Sequence, residues 1–161
     1  MTGSLRCATI MALLAIVPAA FAADDPPKPE PEPKAVPADP DLAAGRDAIA
    51  RQDWKGAVES LRRAIERNPG SAAAHNLYAY SIRKGPNPGM DLVFKHYAEA
   101  LRLDPKHRGA HEYIGEAYLM IGNLPKAKEH LSELDRICFM PCDEYRMLKK
   151  AVTEHEAKIR R

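Results

Sequence analysis

The sequence predicts an all-α fold: an α-solenoid of three helix pairs closed by a C-terminal capping helix. Three observations carry this. A pattern of small and apolar residues recurs at steps of about three dozen residues: Gly45, Ala79 and Gly115 in the first helices, Ala57, Val93 and Ala127 in the second. Turn-forming clusters punctuate the pattern, as Asn68-Pro69-Gly70, Gly85-Pro86-Asn87-Pro88-Gly89, Asp104-Pro105 and Gly122-Asn123. Between them the apolar residues follow a helical and not an alternating spacing. Self-similarity at a fixed period marks units that cannot bury an apolar face alone and so must stack.

The chain begins with an address. Arg6 precedes an apolar run from Ala8 to Val17, and Ala20-Phe21-Ala22 has the small-residue pattern of a cleavage site. Residues 1–22 are therefore expected to be a signal peptide. The apolar run falls short of the ~20 residues a spanning helix needs, so no stable membrane insertion is expected after cleavage. Residues 23–40 follow as a spacer. Seven prolines interleaved with Asp24, Asp25, Lys28, Glu30, Glu32 and Lys34 remove amide donors and fix φ, excluding helix and sheet. A polyproline-like strand of roughly 3 Å per residue would reach about 50 Å.

The helices are then expected in order. Asp39 can cap the first, with Pro40 in its opening turn and Leu42, Gly45, Ala48 and Ile49 inward. Asp53 can cap the second, Trp54 to about Arg67, which turns Ala57, Val58, Leu61, Ala64 and Ile65 inward. Ser71 can cap the third, through Leu77, Tyr78 and Ile82. The fourth carries Leu92, Val93, Tyr97, Ala100, Leu101 and Leu103. The third pair runs from about His107 to Ile121 and from Leu124 to Ile137. Asp143 to about Ile159 is the seventh helix, apolar at Tyr145, Leu148 and Val152 and charged elsewhere, as an open solenoid end requires. Gly45, Ala79 and Gly115 are expected to face Ala57, Val93 and Ala127 within their own pairs, leaving Leu61, Tyr97 and Leu131 for the joints. Gly115 is thus expected to tolerate alanine but not a bulkier residue.

The A-x3-L and A-x3-Y cores (Ala57 and Leu61, Ala127 and Leu131; Ala100 follows Tyr97 in the second) together with Pro69 and Pro105 give residues 39 to 140 a pattern that resembles the tetratricopeptide repeat (TPR) family. No tryptophan opens any repeat, and Phe139 stands where the third repeat's proline would be, with Pro141 just beyond. The resemblance divides residues 41–141 into three repeats of about 38–71, 72–107 and 108–141, with residues 142–161 as the cap. Taken with the leader, it implies an exported protein of bacterial type, periplasmic or secreted. It also implies that the first helices line a concave groove for a protein or peptide partner. By helical phase the groove residues are Arg46, Asn76, Tyr80, Arg83, Glu112, Tyr113 and Glu116, mixed in charge. They do not reproduce the lysine and asparagine set with which some members grip a terminal carboxylate.

Composition excludes some functions. With 24 Lys and Arg against 22 Asp and Glu the chain is nearly balanced, and only Arg6 among the charged residues leaves with the leader. That is no footprint for nucleic acid, which needs a concentrated basic face. No glycine-rich phosphate loop, G-x-S-x-G or H-E-x-x-H occurs, so no catalytic residues and no cofactor are expected. His107 and His111 stand four apart, as metal ligands often do. Packing accounts for His111 and its equivalent His75, and a helix start accounts for His107, so no metal site is assigned. His96, His130 and His155 lie among charged residues and are expected to be solvated.

Cys138 and Cys142 remain after the leader's Cys7 is lost. An even pair at short range in an oxidising compartment reads as a disulfide. A redox site or a soft metal site on the same thiols is the alternative, making the chain a metal or redox carrier in place of a non-enzymatic binding scaffold.

Overall fold

The computed structural model describes residues 39–160. The expected leader at residues 1–22 and residues 23–38 of the expected spacer lie outside the described residues, whereas the spacer's last two, Asp39 and Pro40, are the cap and first residue of α1. Among the described residues there are seven helices and no strand: α1 (Pro40–Ala50), α2 (Trp54–Arg67), α3 (Ala72–Lys84), α4 (Met90–Leu103), α5 (Arg108–Met120), α6 (Leu124–Ile137) and α7 (Asp143–Ile159). None is long and apolar enough to cross a membrane.

Side-chain caps fix five of the seven starts. Asp39 accepts from the amides of Asp41 and Leu42 at 2.9 and 3.2 Å, Asp53 from Gly56 at 2.9 Å, and Ser71 from Ala74 at 3.2 Å. His107 Nδ1 accepts from Ala110 at 3.1 Å and Asn123 from Lys126 at 3.2 Å. Each cap satisfies an amide that the helix itself leaves unpaired. α4 and α7 begin at Gly89 and Cys142 without such a bond. The α1–α2 and α5–α6 turns share one conformation, with a left-handed residue at Gln52 (φ 59°) and at Gly122 (φ 75°).

Each odd helix packs against the even helix that follows it, and consecutive pairs stack through α2·α3, α4·α5 and α6·α7. The odd helices also touch one another, α1 with α3, α3 with α5 and α5 with α7, whereas α2, α4 and α6 do not. A stack whose odd row is in mutual contact and whose even row is splayed is curved, with α1, α3, α5 and α7 on the inside. The buried residues form three joined cores. Ala48, Ala57 and Leu61 lie under Leu77 and Tyr78; Ala79, Val93, Tyr97, Ile114 and Ala117 fill the centre; and Ala127, Leu134, Leu148 and Val152 close the end. At the start, Arg63 and Arg67 of α2 bind Asp41, and Arg67 also binds Asp39 at 2.9 Å, clamping α1 to its partner.

The packing corrects two expectations. A Cβ on Gly45 would come within 2.5 Å of Leu61 Cγ, so the glycine makes room for Leu61 and not for Ala57. A Cβ on Gly115 would come within 2.6 Å of Leu148 Cδ2, so this glycine accommodates the capping helix and not Ala127. The close approach at the third pair is therefore a joint between α5 and α7. Leu134, wholly buried, fills the core where Leu131 was expected, and Leu131 is only half-buried.

Candidate functional site

The inner row brings most of the expected groove residues together, and the burial of each decides what it is free to do. Tyr80 on α3 and Tyr113 on α5 are half-buried, with ring centroids 4.6 Å apart. Trp54 extends the aromatic row, its ring edge-on to Tyr80 at 6.0 Å. Arg83 sits one turn beyond Tyr80 and is buried, its guanidinium 5.5 and 5.8 Å from the two tyrosine rings. It donates to Glu116 Oε2 at 2.7 Å and to the Tyr97 hydroxyl at 3.3 Å. Arg83 and Glu116 are thus occupied with each other, joining α3 to α5 across the inner face, and are not an open pair of opposite charges. Arg46 is exposed on α1.

Asn76 and Glu112 differ from the rest. They hold equivalent places in the second and third repeats, 3 % exposed in each case. Among the described residues Asn76 Oδ1 and Glu112 Oε1 are buried with no hydrogen-bond partner. Asn76 Nδ2 lies 3.4 Å from the place a Cβ would take on Gly109, so the absence of a side chain there leaves the amide room against α5. Burial, then the nearby carboxylates of Glu116 and Glu144, pushes the Glu112 carboxyl up to about 7; Arg83 opposes the shift and Asp143 adds to it. Burial pushes the Tyr113 hydroxyl up to about 12, with Glu112 next in effect. Tyr80 is raised too, by burial and against the field of Arg83.

The histidines form a second, duplicated arrangement. His75 Nδ1 lies 2.8 Å from His96 Nδ1 and its Nε2 lies 3.1 Å from the Pro69 carbonyl. His111 repeats this with His130 at 3.0 Å and the Pro105 carbonyl at 3.1 Å. A carbonyl only accepts, so Nε2 of His75 and His111 carries the proton and their Nδ1 accepts from the second ring. His96, His130 and His155, expected to be solvated, are half-buried instead. Burial, then His111, lowers His130 to about 4, and burial with His75 lowers His96. His107 spends its Nδ1 on the α5 cap and does not converge with His111 on a common point. Among the described residues no three His, Cys, Asp or Glu side chains gather as a metal site would require.

Sequence reasoning gave Trp54 no place beside the groove and did not pair His96 and His130 with His75 and His111. A signal for the pairing was present: His75 to His111 and His96 to His130 recur at the steps of the repeat itself.

Cys138 and Cys142 lie at the α6–α7 joint with α-carbons 5.9 Å apart and sulfurs at bonding distance. The loop they bracket presents Phe139 and Met140 to solvent.

The tetratricopeptide repeat profile matches residues 42–88 and 95–138, more than half of the chain. The chain belongs to the tetratricopeptide repeat family. A curated relative, the inactive TPR repeat-containing thioredoxin TTL3 of Arabidopsis thaliana, is 30 % identical over 87 residues, which span 54 % of this chain and 12 % of that protein. The TPR2B domain of yeast Sti1, solved in a complex with pHsp70, superposes with a TM-score of 0.66 at 17 % identity, covering 73 % of this chain and 94 % of that one. The Yersinia enterocolitica type III secretion translocator chaperone SycD gives 0.64 at 12 % identity, over 75 % and 84 %. At these identities the two structures share the TPR fold with this chain, and with it the all-α solenoid that the repeat spacing predicts.

Proposed function

We propose that this TPR protein is a non-enzymatic scaffold or adaptor that holds a protein partner on its concave face, in the periplasm or outside the cell. The observation that carries the reading is the inner row. Helices α1, α3, α5 and α7 touch along one side, and that side carries the half-buried Tyr80 and Tyr113, with Trp54 at the start of α2 edge-on to Tyr80. Rings of this kind are enriched where proteins bind one another, because they bring large contact area at little entropic cost. The family is one of scaffolds, and two similar structures are a domain in a pHsp70 complex and a type III secretion translocator chaperone. No catalysis, cofactor or nucleic acid enters this reading.

Export rests on the leader at residues 1–22 and agrees with a cysteine pair at bonding distance, since disulfides persist in oxidising compartments. In this reading Cys138–Cys142 is a structural disulfide fastening the start of α7 to the end of α6. Intact mass of the exported protein, alkylated with and without prior reduction, tests it. Two free thiols in quenched native material would remove the disulfide and favour a metal or redox carrier.

The groove is tested by placing a photo-reactive benzoylphenylalanine at Tyr80 on the inner row or at Lys95, exposed on the splayed α4, and irradiating intact cells. A discrete adduct from position 80 and none from position 95 is expected. Adducts from position 95 alone would move the partner to the convex side.

A further inference from the structure

An apolar cavity and an apolar projection stand at different ends of the helix stack. The cavity lies where the start of α2 meets the end of α3 and the turn that follows it. Trp54, Val58, Ile82 and Pro86 line it, its volume is about 360 Å³, and it opens to solvent. That volume is at the small end of the range that holds drug-sized ligands, and is ample for a benzyl group. Tyr80, edge-on to Trp54 at 6.0 Å, backs the indole that forms one wall.

The projection is the loop between α6 and α7. Phe139 is fully exposed there and Met140 largely so. Phenylalanine is among the residues most often buried, and a ring left wholly in water forgoes a large hydrophobic gain. The loop is tied at both ends. Cys138 and Cys142 close it with sulfurs at bonding distance, and Arg146 donates to the Pro141 carbonyl at 2.7 Å. A side chain on a loop fixed in this way is buried by a partner at little further cost in backbone entropy.

One molecule cannot join the two features by itself. Short turns make consecutive helices antiparallel, so the turns after odd helices lie along one edge of the stack and those after even helices along the other. The cavity adjoins the α3–α4 turn, whereas Phe139 is in the α6–α7 turn, and α2 and α6 make no contact. Charge favours a second copy as the occupant. Around the loop Glu133, Asp135, Asp143 and Glu144 outnumber Arg136 and Arg146. Arg136 is bonded to Glu133 and Arg146 to Asp143, so the surplus falls on Asp135 and on Glu144, which has a long approach of 3.9 Å from Arg108. In the cavity the charged lining residue is Lys55, which is exposed. Along the segments that form the cavity, Arg51, Lys55 and Lys84 outnumber Asp53 and Asp91.

We propose that Phe139 of one molecule enters the cavity of Trp54, Val58, Ile82 and Pro86 in another, with Lys55 facing the acidic flank of the loop. The contact joins two different surfaces, so every added molecule keeps one free cavity or one free loop, and association continues head to tail. It does not rest on the concave face being the binding face.

One side chain in one cavity is a small contact, so association between about 1 µM and about 1 mM is expected. Sedimentation velocity of the oxidised full chain across that range should show a mean mass that climbs past the dimer. Phe139→Ser and Trp54→Ala should each weaken association roughly tenfold to a hundredfold, the worth of burying one aromatic side chain, with circular dichroism unchanged. The decisive sample is their mixture. Phe139→Ser keeps the cavity and Trp54→Ala keeps the loop, so the two together should form a dimer and nothing larger. Val58→Lys, which fills the cavity and leaves the indole in place, serves in the mixture if Trp54→Ala loses helicity. A parent chain that stays monomeric at about 1 mM overturns the proposal. So does association that survives Phe139→Ser or both cavity variants, and so does a mixture that stays monomeric where the parent associates.

Discussion

The first and third helix pairs carry a glycine in the same slot, yet different parts of the molecule fill the space it leaves. At Gly45 the occupant is Leu61 from the pair's own second helix; at Gly115 it is Leu148 from the capping helix. The repeat specifies only that the slot be small. What enters it depends on position in the stack, because the last pair has no following repeat and must take its large residue from α7. The first pair is self-sealing, whereas the third is finished from outside, by a helix that does not belong to the repeat.

Truncating each occupant tests this with the largest effect. Leu61→Ala and Leu148→Ala both empty a fully buried site, and each should lower unfolding free energy by roughly 2–5 kcal/mol. Chemical denaturation would show it, and hydrogen exchange would separate them: Leu148→Ala should deprotect α7 first, Leu61→Ala the first pair. Equal deprotection of α7 by both would erase the distinction. Filling the slots is milder. Gly45→Ala meets Leu61 at its branch carbon, whereas Gly115→Ala meets mainly the mobile methyls of Leu148. Overpacking of this kind costs roughly 1–3 kcal/mol, and Gly45→Ala should stand at the upper end. Gly115→Ala should recover most of its loss in a Leu148→Ala background and none in an Ala127→Gly background, which a double-mutant cycle reads directly.

The second and third pairs afford the other contrast. Both contain the His–His contact at the same place, but beside it the second has neutral Asn76 and the third acidic Glu112. The third pair therefore carries two pH dependences that oppose each other, from Glu112 and from His130. The Glu112 carboxyl, raised from 4.5 to about 7 by burial, binds its proton more tightly in the folded chain. Its contribution is therefore fully present below pH 4.5 and lost as pH rises through 7. His130, lowered from 6.5 to about 4, contributes above pH 6.5 and loses that contribution as pH falls toward 4. Glu112→Gln removes only the first. Its stability should match that of the parent near pH 4.5 and exceed it at pH 8 by roughly 2 kcal/mol after allowance for solvent screening. A difference that does not grow with pH would show that Glu112 is solvated in the folded protein.

The smallest effect compares the two short turns. Gln52 holds the left-handed conformation that Gly122 adopts in the third pair. Gln52→Gly should raise the unfolding free energy by up to about 1 kcal/mol in chemical denaturation, relief of the Cβ clash exceeding the entropy that glycine loses.

The helices were legible because local features set them. Asp39, Asp53, Ser71 and Asn123 announce helix starts, the proline and glycine clusters stop them, and the 3.6-residue stripe marks their inner faces. The fold followed from the repeat of that stripe. The side-chain partners were not legible, because they join residues from different pairs. Arg83 is neutralised by Glu116, 33 residues on, and Gly115 is filled by Leu148, equally far along. Nothing local to Arg83 distinguishes a buried arginine from one awaiting a ligand. The residues on the inner face could be chosen by phase, but which of them remain free depends on their neighbours in the adjoining pair.

The even helices do not touch one another, and that gives the stack a mechanical character. Spreading the odd row would straighten the arc, while the splayed even row opposes such bending little. The Arg83–Glu116 bridge spans the row that would spread, so tension along the solenoid falls on a polar link before it reaches the apolar joints. Tyr80 and Tyr113 ride on the same two helices, and a change in arc would alter the gap between their rings. The radius of the arc and the Tyr80–Tyr113 ring contact are thus geometrically linked, with the Arg83–Glu116 ion pair lying across the same two helices.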